Sequence, residues 1–245
     1  MSWLPTLFFL IAFLYSIVGF GGGSSYLAIL ALAGLPYEQI PVVALICNVI
    51  VTVGGFWHFS RAGFVRWKVI LPFIALSIPM AYLGGRLNVS KDLFRLLLGF
   101  SLLIAAIRMF IPTRALGPVR EISWKRAWCV GIPAGGVLGF LAGLAGIGGG
   151  IFLSPILIFL RWANAKEAAA ASSFFITVNS LSGLAGHIEK SALDFQLIPP
   201  LAVAVFLGGQ LGSRFGAYKV SNVRLQQILA GFILYVSVKL IGVGL

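Results

Sequence analysis

The chain has 245 residues, 60% of them hydrophobic and 10% charged, with a mean hydropathy of +1.03. Apolar runs of about twenty residues, enough to cross a bilayer core of roughly 30 Å, recur from end to end, which excludes a soluble globular domain. The net charge of +12 lies in short loops between those runs, as a cytoplasmic positive bias requires, and does not form a nucleic-acid surface.

Hydropathy predicts eight segments, at roughly 3–34, 40–59, 69–87, 93–111, 128–160, 167–188, 196–217 and 224–244. The first opens on Met1-Ser2-Trp3-Leu4 with no basic stretch, so no cleaved signal peptide is expected. Gly19-Phe20-Gly21-Gly22-Gly23 interrupts it, and such a run weakens a helix. The second carries Cys47, Asn48 and Thr52 and ends near His58; the third holds Gly84-Gly85-Arg86-Leu87; the fourth is plain. The longest polar break follows, Pro112 to Trp128, with Arg114, Arg120, Lys125 and Arg126. The fifth segment contains Gly146-Ile147-Gly148-Gly149-Gly150. The sixth carries Ser172, Ser173, Thr177, Asn179 and Ser180 and ends near His187; the seventh holds Gly208-Gly209-Gln210-Leu211; the eighth is plain. Cys47 and Cys129 are too few for a zinc or iron–sulfur framework and read as small buried residues.

The order of features is the same in both halves: broken segment, segment ending in His, Gly-Gly segment, plain segment. Gly54 and His58 are echoed by Gly183 and His187, and Arg61 by Lys190. An internal duplication is expected, with one membrane repeat over 1–111, a linker over 112–127 and a second repeat over 128–245.

Each broken segment is too long for one simple span and too short for two. Residues 3–18 rise about 24 Å as helix, and 24–34 only about 17 Å. The choice lies between one long tilted crossing and a re-entrant hairpin of two half-length helices. With eight crossings, Lys and Arg divide ten against eight; with two re-entrant hairpins they divide thirteen against five, the bias that insertion favours. The second arrangement places both termini outside and the 112–127 linker in the cytoplasm. It gives each repeat an odd number of crossings, so the repeats are inverted. The predicted fold is therefore all-α: a polytopic helical membrane protein of two inverted repeats, each opening with a broken, re-entrant, glycine-rich segment.

Half-helices are predicted to start at Ser24 and Ile151. Their first N–H groups lack helical acceptors, and the positive dipole end suits a small anion. Glycine permits close approach to that backbone. The candidate substrate-binding residues are Gly21, Gly22, Gly23, Ser24, Asn48, Thr52, Gly148, Gly149, Gly150, Ser172, Ser173, Thr177 and Asn179. Asn48 and Thr52 share a helix face, as do Ser173 and Thr177. Asn48 and Asn179 are costly to bury and suited to donating amide hydrogens. His58 and His187 have the chemistry of proton shuttles but lie at segment ends, where wetted interfacial histidines are common. No acidic residue falls deep in a segment, which favours an anionic over a cationic substrate. No metal spacing, nucleophile elbow or acidic pair appears, so neither catalysis nor a cofactor is expected.

The pattern resembles the sulfite exporter TauE/SafE family. The resemblance rests on Gly19-Phe20-Gly21-Gly22-Gly23, on Gly146-Ile147-Gly148-Gly149-Gly150 followed by Pro155, on Ala170-Ala171-Ser172-Ser173 and on Asn179-Ser180-Leu181-Ser182-Gly183 with His187. Ala28 stands where the first copy would match Pro155, so the half-helices are not equivalent. The resemblance implies transport of sulfite, sulfonates, thiosulfate or related oxyanions. The expected protein is a secondary transporter in the cell membrane moving a small anion by alternating access. The alternatives are a passive anion channel and an intramembrane enzyme or assembly factor.

Overall fold

A computed structural model describes residues 3–36, 38–87, 119–188 and 197–219, with scattered positions over 99–107 and 221–238. The predicted segments at 93–111 and 224–244 lie largely outside the described residues, as do Lys190 and residues 112–118 of the linker.

The described chain is helical throughout. Its helices are α1 (Leu4–Ile17), α2 (Gly23–Leu32), α3 (Gln39–Arg61), α4 (Trp67–Arg86), α5 (Trp124–Ala145), α6 (Gly150–Phe159), α7 (Ala165–Ile188) and α8 (Ile198–Tyr218). Four of them, α3, α4, α5 and α7, are long and apolar enough to cross a membrane. Helix α8 has 21 residues, but Pro199, Pro200, Gln210 and Arg214 lower its apolarity. Large apolar side chains such as Leu83, Val137, Leu141, Val203 and Phe206 are exposed around the bundle, the outward face expected toward lipid.

Both glycine runs break the helix where predicted. The half-helices start one residue earlier than expected, at Gly23 and Gly150, because Gly22 and Gly149 cap them in the left-handed conformation. The first hairpin closes through the Tyr15 hydroxyl, 2.7 Å from Ser25 Oγ, and through Phe8 stacked on Tyr26 at 4.5 Å. In the second, the Arg120 N–H donates to the Arg161 carbonyl at 2.7 Å. The chain therefore leaves α6 on the side where it entered α5.

The arms are not all half-length. Helix α5 runs 22 residues, starting four residues ahead of the predicted edge, because the Ser123 hydroxyl accepts from the Arg126 N–H and caps a basic, aromatic first turn. Helix α7 starts with a capping box: the Glu167 N–H donates to Asn164 Oδ1, and the Asn164 N–H donates to Glu167 Oε2. Arg66 Nη1 lies 3.6 Å from that carboxylate. Cys47 is buried as expected, whereas Cys129 is exposed on α5.

Glycine stripes set the helix pairing. On α5, Gly135, Gly139 and Gly143 lie against the carbonyls of Phe73, Ser77 and Ala81 of α4. On α8, Gly208, Gly212 and Gly216 lie against the carbonyls of Phe9, Phe13 and Ile17 of α1. Spacing by four keeps each stripe on one face, and small residues let membrane helices touch through their backbones. The Gly-Gly pairs extend the pattern. Gly84 faces α5 and Gly85 faces α7, while Gly208 faces α1 and Gly209 faces α3. The third helical unit of each half thus packs on the first and second units of the other.

A Cβ at Gly212 would fall onto the Phe13 carbonyl and Ser16 Oγ. Gly212→Leu is therefore expected to force α1 and α8 apart and cost about 1–3 kcal/mol. A lowered midpoint in detergent thermal unfolding checks it.

Candidate substrate site at the two helix breaks

The two breaks meet the middle of α3 and α7, and each is held by the helix that follows the other. Asn48 of α3 donates from Nδ2 to the carbonyl of Ile147, inside the second break, at 3.1 Å. Ser173 of α7 donates from Oγ to the carbonyl of Gly19, inside the first, at 2.9 Å. Between them Thr52 Oγ1 and Thr177 Oγ1 are 2.9 Å apart, joining helices 125 residues apart in the chain. An unsatisfied carbonyl in hydrocarbon costs several kcal/mol, so these side chains allow the chain to be irregular here.

Asn48 touches both breaks. A Cβ at Gly21 or at Gly23 would collide with its amide, and one at Gly148 would lie 3.2 Å from Nδ2 and 2.7 Å from Ser180 Oγ. Three glycines therefore open the space that the Asn48 side chain fills. Gly148 has φ of +77°, a conformation that itself favours glycine.

The remaining candidates divide. Ser172 Oγ donates to the Gly150 carbonyl at 3.2 Å and Ser24 Oγ lies 3.4 Å from the Tyr15 hydroxyl. Thr177 Oγ1 also lies within reach of the Ser173 carbonyl and Thr52 Oγ1 of the Asn48 carbonyl, so one hydroxyl donates to its own helix while the other donates across the pair. These groups bind the breaks or their own helix. Gly22 faces Ile11 and Tyr26, Gly149 faces Ala142 and Phe175, and Gly150 faces Ile176. They shape the break without facing Asn48.

Asn179 donates from Nδ2 to the Phe175 carbonyl at 2.8 Å. Each asparagine thus spends one N–H on the backbone and retains a second. Their oxygens are the unmet atoms. Asn48 Oδ1, Asn179 Oδ1, Ser180 Oγ and Tyr26 Oη are buried without a hydrogen-bond partner. Ser180 and Tyr26 are not among the candidates that the sequence offers. Ser180 adjoins Asn179 in a polar run, and Tyr26 stands in the first turn of the half-helix, so both carried a signal.

The histidines are anchored. His58 Nε2 lies 2.9 Å from Gln210 Oε1, and His187 Nε2 lies 2.8 Å from the Gly143 carbonyl. Among the described residues no Asp, Glu, Lys or Arg is buried, and no cluster of His, Cys, Asp or Glu could hold a metal ion.

Two half-helix N-termini and buried neutral polar side chains inside a bundle with exposed apolar sides are what a polytopic membrane transporter requires. The sulfite exporter TauE/SafE family model matches residues 4–240, and the chain belongs to that family. It is 31% identical over 97% of its length, and 97% of the relative's, to the probable membrane transporter protein y4hK of Sinorhizobium fredii. It is 26% identical to the probable membrane transporter protein YunE of Bacillus subtilis, covering 81% of this chain and 82% of that one. A partial match, 28% identical over 46% of the chain and 43% of the relative, is to an undecaprenyl-diphosphatase of Christiangramia forsetii. No solved structure matches.

Proposed function

We propose that the chain is a secondary transporter that carries a small sulfur oxyanion or sulfonate across the cell membrane by alternating access. The observation that carries the reading is Asn48, which touches both glycine breaks from one position. A ligand there meets the N-terminal amides of α2, whose partial positive charge suits an anion. The absence of buried acidic side chains among the described residues agrees in sign. The unmet oxygens of Asn48 and Asn179 add acceptors to the amide donors, a mixture that suits an oxyanion still carrying a proton. The family's description as sulfite exporters supports the sulfur chemistry.

Reciprocal packing of the two halves supports inverted repeats, and the thirteen-against-five division of Lys and Arg supports termini outside and the 112–127 linker in the cytoplasm. Alternating access then moves one pair of units against the other. At one end of the α3–α7 contact, Phe59 packs with Ala169, Ala170 and Ala217. At the other, Gly85 and Gly186 bring α4 and α7 together. Opening either end exposes the breaks to one side only.

Proteoliposome flux across sulfite, thiosulfate, sulfate, sulfoacetate and chloride tests the reading. Gradient-driven uphill movement of a sulfur anion is expected. Purely downhill movement replaces the transporter with a channel, and movement of only a cation or neutral solute ends the hypothesis. Reporters fused at Leu116 and Ala192 should fall on opposite sides; finding both on one side would sink the inverted arrangement.

A further inference from the structure

A second feature lies away from the breaks, on the face of α3 turned toward α8. Trp57, His58, Arg61, Leu211, Arg214, Phe215, Tyr218 and Lys219 enclose a cleft of about 770 Å³. Cations at helix C-terminal ends are ordinary, since they complement the dipole. Here three converge on one cavity, and none has a carboxylate partner among the described residues. The Arg61 guanidinium is stacked over the Trp57 ring at 4.7 Å, which fixes its position. His58 is held by Gln210, so the cleft floor is ordered as well.

The basic groups call for an anion, and the rest of the lining says which kind. Trp57, Leu211, Phe215 and Tyr218 are between 44% and 56% exposed, apolar surface that a small hydrated ion does not use. The volume falls in the range that holds drug-sized ligands, far more than a small oxyanion fills. Aromatic rings beside Arg and Lys at helix ends are the composition of a membrane interface, and basic pockets between helices there take lipid headgroups. We infer that this cleft binds the phosphate headgroup of an anionic phospholipid, its acyl chains lying along Leu211 and Phe215. The site is separate from the breaks. Asn48, Thr52, Gly55 and Phe59 lie on the α3 face toward α7, whereas Gly54, His58 and Arg61 lie on the neighbouring face.

Native mass spectrometry of the purified protein tests this with phosphatidylglycerol and phosphatidylcholine as lipids, and sulfite and inorganic phosphate as free anions. Phosphatidylglycerol is expected to be retained in preference to phosphatidylcholine. The triple variant Arg61→Gln/Arg214→Gln/Lys219→Gln is expected to lose at least about tenfold in that binding. Lys125→Gln/Arg126→Gln, which removes charge from α5 instead, should leave it intact. Should the triple variant fail to purify, Arg214→Gln and Lys219→Gln singly should each show a partial loss. Equal retention of the two lipids, or unchanged phosphatidylglycerol binding in the cleft variants, overturns the proposal. Binding of sulfite or phosphate that the cleft variants abolish, without phosphatidylglycerol binding, also overturns it and makes the cleft a free-anion site.

Discussion

Asn48→Leu is expected to abolish substrate flux and lower stability by about 1–3 kcal/mol, the cost of leaving the buried Ile147 carbonyl without its donor. Asn179→Leu separates the two effects. The Phe175 carbonyl that Asn179 meets is four residues back in the same helix, where the backbone already supplies a donor. That variant also removes an oxygen buried without a partner, so its stability is expected to change by less than about 1 kcal/mol. A loss of flux at unchanged stability would identify Asn179 as a group that meets the substrate. Asn48→Asp adds the electrostatic arm, because it keeps the shape and introduces an acid between the breaks. It should suppress anion flux as fully as leucine does. Unfolding midpoints and proteoliposome flux on the three variants make the comparison, and wild-type flux in Asn48→Leu would remove the breaks from the transport path.

The elements of this site that sequence could reveal are those whose signal is local. Gly22 and Gly149 announce a break because consecutive glycines weaken a helix, whereas glycines spaced by four leave it intact and serve packing. Asn48 stands out because burying its amide is costly. Meetings across the halves are different in kind. Thr52 reaches Thr177, and Ser173 reaches Gly19, only after the halves dock. The Gly-Gly echo was visible, but its purpose was not, since each pair packs on the opposite half. Hydropathy sets the start of α5 four residues late because Lys125 and Arg126 depress it, although Ser123 in front of them is an ordinary cap. The echo of His58 in His187 conceals a divergence. Gln210, which holds His58, aligns with Arg86 in the repeated motif, and His187 bonds a backbone carbonyl instead.

Gly22→Leu and Gly149→Leu are each expected to reduce flux to background while the protein remains folded in the membrane. At Gly22, φ is +93° and a Cβ would come within 2.9 Å of Ile11 Cγ2 and of the Tyr26 ring. At Gly149, φ is +77° and a Cβ would come within 2.8 Å of Ala142 Cβ and 3.0 Å of Phe175. Left-handed backbone costs an L-residue about 1–2 kcal/mol, and overpacking adds about 1–3. A typical domain's stability of about 5–15 kcal/mol tolerates that sum. The half-helix N-terminus does not, because relief of either clash shifts the capping residue and with it the first amides of α2 or α6. Gly34→Leu is the control, with φ of +78° and nothing within 4 Å of its Cβ. It carries the same backbone strain without the crowding, at a site just beyond the end of α2. Its flux should match wild type at a cost of about 1–2 kcal/mol. Equal loss in all three variants would attribute the effect to general destabilisation. Retained flux at Gly22 and Gly149, with thermal unfolding showing a folded protein, would reduce both breaks to packing and leave the anion site to be found elsewhere.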